Sequence, residues 1–234
     1  MIFNKLKRKL YLWNLRGTRF FCPICEKGFK SFLPAGLDNR PNAMCPNCGS
    51  LERHRLLWIT LLKLWSEGTL KKSGNMLHIA PESPLASKFK KTFKYLSADI
   101  DENVAEVKMD ITDIQFTDET FDVIICNHVL EHIPDDKKAL SELFRILKKA
   151  GWASVQVPVS GDSTFEDHTI TDPKKREKVF GQSDHVRKYG NDFHKRLTAA
   201  GFNVSTYYKN DIIEPGQNSL FSLECENQIY IVTK

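Results

Sequence analysis

The sequence predicts an α/β fold, a mostly parallel sheet with helices on both faces, behind a small cysteine-held segment. Three observations predict it. Phe121-Asp-Val-Ile-Ile-Cys126 is a short, nearly unbroken apolar run rich in β-branched residues, the pattern of a strand buried on both faces of a parallel sheet. Around it, strand-like runs alternate with helical patterns, the rhythm of βαβ units. Ahead of that alternation stand two CPxC pairs, Cys22/Cys25 and Cys45/Cys48.

The chain has 234 residues, enough for one α/β domain and a small appendage, and a mild basic bias with a net charge of +5. No apolar run approaches the ~20 residues that span a bilayer. The first residues lack the apolar core and small-residue cleavage site of a signal peptide. Six cysteines in a chain of this length do not make a disulfide scaffold, and the CxxC pairing points to metal and a cytoplasmic location. No internal repeat or low-complexity segment is present.

Residues 1–20 hold Lys5, Lys7, Arg8, Lys9, Arg16 and Arg19 and no acid, with Ile2, Phe3, Leu6, Leu10 and Trp13 at helical spacing. They predict a basic amphipathic helix packed on the body. Peripheral contact with anionic lipid, or with RNA, is the sharper reading.

Residues 21–50 predict a zinc ribbon. Each CPxC turn aims two thiolates at one point, and residues 26–44 separate the pairs, within the ~15–20-residue spacing of four-cysteine sites. Cys22, Cys25, Cys45 and Cys48 complete a tetrahedral sulfur shell suited to structural Zn²⁺ with no open position. Residues 51–67 follow as a linker helix. Ser50 is the expected cap, Glu52 lies in the first turn, and Arg53, His54 and Arg55 form either a basic lip or pairs with nearby acids.

The large domain is expected over residues 74–234. Asn75–Ala80 reads as its first strand, Leu85–Phe93 as a helix, and Tyr95–Ile100 as a second strand ending in Asp99. A short strand runs through Val107–Ile111, and the central run ends in Asn127-His128, polar groups at the carboxyl end of a strand, where open α/β sheets bind ligands. Asp135–Lys149 is a helix stopped by Gly151, and Trp152–Val157 is the next strand. Residues 159–190 break the rhythm with a charged stretch read as a substrate lid insertion. A helix at Asn191–Ala200 and an antiparallel pair, Phe202–Tyr208 and Gln228–Thr233, joined by the loop holding Cys225, complete the domain.

The stretch Phe121, Asp122 and Val129-Leu-Glu-His-Ile133 resembles the fourth-strand motif of class I S-adenosylmethionine (SAM)-dependent methyltransferases of the type 11-like group, clearest over residues 95–158. The resemblance implies a Rossmann-like sheet with an antiparallel last strand. It implies SAM as cofactor, with Asp99 and Ile100 at the ribose and Asp110 and Ile111 at the adenine. His78, Ala80, Glu82, Asn127 and His128 would complete the cofactor pocket. One departure stands out: Ala80-Pro81-Glu82-Ser83-Pro84 replaces the glycine-rich first turn. Ala80 is nearly as small as glycine, and the two prolines fix the turn.

A hydroxyl acceptor needs a general base, and histidine is tuned for that near neutral pH. His128 and His185 are the catalytic candidates. His185 has Asp184, Arg187 and Tyr189 beside it to grip a polar acceptor, with Glu166, Asp167 or Asp162 to orient its ring. His132, after Glu131, reads as structural, with a metal-ligand role for these two residues left open, as in some O-methyltransferases of similar motif. The favoured activity is methyl transfer to a small-molecule or saccharide acceptor. Two rivals stay open: a zinc-ribbon RNA methyltransferase, and a SAM-fold binding module without catalysis.

Overall fold

The computed structural model describes residues 2–224 and 227–234, without the side chains of residues 2–6. Cys225 and the side chains of Ile2, Phe3, Lys5 and Leu6 therefore lie outside the described residues. Two compact units emerge.

The first unit takes the chain up to Leu70 together with Glu82–Phe89 and Tyr207–Ile229. Helix α1 (Ile2–Asn14) leaves Leu10, Tyr11 and Trp13 exposed among its cations. Two small antiparallel hairpins follow: β1 (Arg16–Cys22) with β2 (Lys27–Phe29), and β3 (Leu33–Ala35) with β4 (Arg40–Met44). Phe20, Ile24, Phe29 and Phe32 form a miniature core between them. Helix α2 (Glu52–Ser66) buries most of its sides, as its run of leucines requires. Ser50 does not cap it. Leu51 holds the cap position, its N–H donates to His54 Nδ1 at 3.0 Å, and Ser50 Oγ lies near the sulfurs of Cys22 and Cys48 instead.

The basic lip is absent too, because Arg55 is fully buried. Its guanidinium donates to the carbonyls of Ala43 (3.0 Å), Ser50 (2.6 Å), Phe221 (2.7 Å) and Ser222 (2.7 Å). One arginine thus ties the cysteine-rich segment to the late chain, where short helices Lys209–Ile212 and Gln217–Phe221 lie. Helix α3 (Ser83–Phe89) also belongs to this unit and is shorter than its sequence pattern suggests.

The second unit holds the sheet. Its strands are β5 (Asn75–Ile79), β6 (Lys94–Asp99), β7 (Val107–Lys108), β8 (Phe121–Asn127) and, after helix α4 (Asp136–Ile146), β9 (Leu147–Gln156). After β9 come β10 (Phe165–Glu166), helix α5 (Pro173–Phe180), β11 (Arg187–Lys188) and helix α6 (Phe193–Ala199). Strands β12 (Asn203–Tyr208) and β13 (Gln228–Thr233) finish the chain. The seven-stranded order is β12-β13-β9-β8-β5-β6-β7. Pairings β5–β6, β5–β8, β6–β7 and β8–β9 are parallel, and β13 runs antiparallel to β9.

Helix α4 starts where Asp135 accepts from Lys138 N at 3.0 Å, and it buries Ala139, Leu140, Leu143 and Ile146. It ends at Ile146, short of the Lys148-Lys149 pair, which belongs to β9. Those lysines are used differently: Lys148 Nζ reaches Asp122 at 2.9 Å. Side chains from β8, β9, α4 and α6 share one core with Ile124, Val155, Leu143 and Leu197 fully buried. Among the described residues, no helix is long and apolar enough to cross a membrane.

Candidate active site and metal centres

The chain lays β5, β6 and β7 to one side and then returns to place β8 and β9 on the other side of β5. That reversal leaves a crevice at the carboxyl ends of β5 and β8, where open α/β sheets bind ligands. A cavity of about 800 Å³ occupies it. Its lining comes from strand ends: Ala80 after β5, Asp99 and Ile100 from β6, Asp110 and Ile111 after β7, and His128 and His132 after β8.

Ala80 takes φ = +48°, the left-handed region, and donates its N–H to Ala98 O at 2.9 Å. The turn therefore makes the bend that glycines usually make, with only a methyl on its surface. Asp99 Oδ1 accepts from Asp101 N at 2.9 Å, and its second oxygen keeps acceptor capacity. Asp110 is held by Thr112, whose N–H and hydroxyl both donate to Oδ1 at 2.8 Å, and these bonds keep its carboxyl below the ordinary range. Ile111 is buried and Ile100 is exposed. Acids with free lone pairs beside apolar Ile79, Ile100, Met109 and Ile111 fit a nucleoside cofactor, with acceptors for hydroxyl or amino groups and apolar walls for a ring.

Three of the residues expected at the cofactor do not line this cavity. His78 is fully buried in β5 with Nδ1 3.0 Å from the Tyr95 hydroxyl. Asn127 is buried in β8, where its Oδ1 accepts from Ser154 Oγ at 2.9 Å. Glu82 belongs to the first unit, its Oε1 2.6 Å from His54 Nε2 and 3.3 Å from Arg53 Nε. None of the three lines the cavity.

His128 lines the cavity, also at positive φ (+55°), with Nδ1 3.4 Å from Glu131 Oε1. His185 does not line it and is 5% exposed. Its ring meets that of His132 edge-on, centroids 4.8 Å apart, and Nδ1 lies 3.4 Å from Phe180 O. Burial lowers its pKa, opposed by the Glu131 charge and reinforced by His132. The acids expected to orient it are engaged elsewhere. Glu166 pairs with Arg187 and Arg196, and Asp167 with Thr169. Asp184 instead faces His132, Oδ2 to Nδ1 at 3.2 Å, and lines the cavity.

Arg187 and Tyr189 do not reach out to an acceptor either. Arg187, 1% exposed, donates to the carbonyls of Leu130 (2.8 Å), Ile133 and Pro134 (2.7 Å), and Tyr189 Oη donates to Asp136 at 2.7 Å. They fasten the 159–190 segment to the turn after β8. Sequence reasoning left Glu131, in the 3₁₀ turn Leu130–His132, open as a metal ligand beside His132 but did not foresee His185 at its side. Its companionship with His185 spans too much chain to be read locally.

In the first unit, Cys22, Cys25, Cys45 and Cys48 converge, with all four sulfurs within 4.8 Å of one another and no disulfide. Cys22 and Cys48 Sγ are 3.6 Å apart, and Cys25 and Cys45 Sγ 3.7 Å. A tetrahedral zinc with ~2.3 Å bonds sets its sulfurs about 3.8 Å apart. The four thiols could hold such an ion, with the Ser50 hydroxyl, 3.2 Å from Cys22 Sγ, as an outer hydrogen-bond partner.

Residues 74–155 match the methyltransferase domain family. An uncharacterised protein of Methanocaldococcus jannaschii is 39% identical over 74 residues, a match spanning 32% of this chain and 32% of that relative, so this chain matches about a third of the relative's length. Among solved structures, a SAM-dependent methyltransferase of Archaeoglobus fulgidus aligns with a TM-score of 0.51 at 15% identity, covering 76% of this chain and 93% of its own. Haemonchus contortus phosphoethanolamine N-methyltransferase 2, solved with S-adenosyl-L-methionine, aligns at 0.51 and 16% identity over 76% of this chain and 52% of its own. A Burkholderia thailandensis 1,6-didemethyltoxoflavin N1-methyltransferase, solved with S-adenosylhomocysteine, aligns at 0.50 and 12% identity over 76% and 77%. At these identities the shared property is the fold. Residues 74–155 thus match a methyltransferase domain model, and the solved structures share the fold.

Proposed function

We propose that SAM occupies the cavity at the carboxyl ends of β5–β8 and that the acceptor is a hydroxyl of a small molecule or saccharide. The observation that carries this reading is the lining. Asp99, Asp110, Ile111 and the left-handed Ala80 meet at one cavity, in the order the strands deliver them. Asp99 would take the ribose hydroxyls, and Asp110 with Ile111 the adenine. When bound, SAM supplies an electrophilic methyl on a sulfonium.

The chain's own residues must orient the acceptor and remove its proton. His128 lines the cavity and has the Glu131 carboxylate behind its Nδ1, so it is the base of this reading. His185, walled off behind His132, acts on the acceptor only through its neighbours. Residues 159–190 form the lid, pinned by Arg187 and closing with Asp184 at the cavity. The four cysteines hold a structural zinc ion that stabilises a ribbon over residues 21–50.

RNA as acceptor keeps one observation in its favour. In the first unit an open groove is lined by Lys9, Arg16 and Lys27 beside Trp13 and Phe21, the pairing of cations with stacking rings that single strands bind. A structure soaked with S-adenosylhomocysteine tests the cofactor placement and shows what residues 159–190 enclose. Steeply salt-dependent binding of an oligonucleotide would favour the RNA reading.

A further inference from the structure

We propose that Glu131, His132 and His185 bind one divalent first-row transition-metal ion, distinct from the four-cysteine site, and that this ion ties the 159–190 segment to the turn after β8. One ligand atom from each residue falls within 4.8 Å of the others. Around a single cation with ~2.1 Å bonds, neighbouring donors stand about 3–4 Å apart, so side-chain rotation closes the difference.

Two further observations point to a cation. Glu131 is 2% exposed, and its Oε2 is buried without a hydrogen-bond partner. A carboxylate oxygen left so is costly, and a metal ion is one of the few partners that repays its desolvation. The histidines are also arranged as ligands are. His185 Nδ1 lies against the Phe180 carbonyl (3.4 Å) and His132 Nδ1 against the Asp184 carboxylate (3.2 Å). Outer partners of this kind fix the ring and leave Nε2 as the donor atom. Two imidazoles and a carboxylate select a transition ion over magnesium or calcium and leave coordination positions open. His132 and Asp184 line the cavity, so those positions are reachable from it. On the O-methylation reading above, they would take and polarise the acceptor's oxygen. The metal site itself stands apart from that reading, because its test reads metal binding.

The fold makes the ion a fastener. Glu131 and His132 ride on the turn after β8, and His185 comes from the 159–190 segment. Val186 N already donates to Glu131 O at 2.9 Å, so the two segments are in register before any metal arrives.

The test titrates Co²⁺ into the zinc-loaded full-length chain. Nitrogen and oxygen ligands give weak visible bands, whereas entry into the cysteine site gives intense thiolate charge-transfer absorption, so the two sites report separately. The expected result is one added Co²⁺ per chain with weak bands. Affinity should fall by more than ~100-fold in His185→Ala and Glu131→Gln, beyond the ~10–100-fold typical of an outer partner, and by about 10-fold in Asp184→Asn. Co²⁺ should also slow proteolysis within residues 159–190 in the wild type and not in His185→Ala. Glu131→Gln keeps the shape of the side chain, and the exposed Asp184 keeps the test alive if His185→Ala fails to fold. No added Co²⁺ at millimolar concentration, or equal affinity in wild type and Glu131→Gln, overturns the site. Binding without protection overturns the fastening.

Discussion

The carboxylate of Asp122, on β8, occupies the space that a side chain at Gly74 would need. A Cβ built on Gly74 would stand 2.5 Å from that carboxylate, whose Oδ2 accepts from Asn75 N at 2.9 Å. Gly74 also has φ = +110°. The acid of the central strand thus sets where the first strand of the sheet begins, and with it the position of the Ala80 turn at the cavity.

Gly74→Ala should therefore destabilise the fold by about 1–3 kcal/mol, the usual cost of a strained backbone position. Asp122→Ala should do the same by orphaning the Asn75 amide. Thermal unfolding measures both. An unchanged melting temperature in Gly74→Ala would remove the interlock from the account.

The buried network at the base of the 159–190 segment predicts an acid limb. Burial pushes the Glu166 carboxyl up, but the hydrogen bonds and charges of Arg196 and Arg187 outweigh it, bringing its pKa down from 4.5 to about 2. A depressed carboxylate stabilises the folded state fully above its unfolded value. Its contribution should hold above about pH 4.5 and disappear as the pH falls toward 2. Stability against pH in wild type and Glu166→Gln checks this: the variant should lose less over that window, and parallel curves would contradict it. Arg187→Met, which leaves the buried carbonyls of Leu130, Ile133 and Pro134 and one oxygen of Glu166 without a donor, should cost ~3–5 kcal/mol.

Metal analysis should find about one zinc per chain held by the cysteines, lost in the Cys45→Ser Cys48→Ser double variant along with the fold of residues 21–50. Ser50→Ala should keep the zinc but weaken it about 10-fold by removing an outer hydrogen bond to sulfur. A zinc-free protein with residues 21–50 still folded would contradict the structural role.

His128→Asn suits the left-handed backbone at that position and removes the ring. If His128 takes the acceptor's proton, turnover should drop by roughly 10²–10⁴-fold with SAM affinity kept. If it only lines the pocket, SAM affinity should fall instead, and steady-state kinetics beside calorimetry separates the two.

Much of this was legible in the chain. The run Phe121–Cys126 signals its strand because every residue but Asp122 is apolar, and the cysteine spacing signals convergence because each knuckle is local. What stayed hidden rests on distant partners. Glu82 looks like a cofactor residue by position, yet His54 and Arg53 claim it. Arg55 reads as part of a basic lip or an acid pair, and Arg187 and Tyr189 as groups gripping an acceptor, yet all three are buried because clusters of carbonyls and the Asp136 carboxylate satisfy them. Helix α4 ends early, where Leu147 enters β9 opposite Phe121 and Lys148 reaches Asp122, partners that helical spacing does not encode.

If SAM sits against Asp99, loss of that carboxylate must weaken its binding. Calorimetric titration of SAM into the wild type and Asp99→Ala measures this. Binding by the wild type is expected, with a loss of ~1–3 kcal/mol in the variant, the scale for unpairing buried polar groups. Equal affinities, or no binding by the wild type, would contradict it.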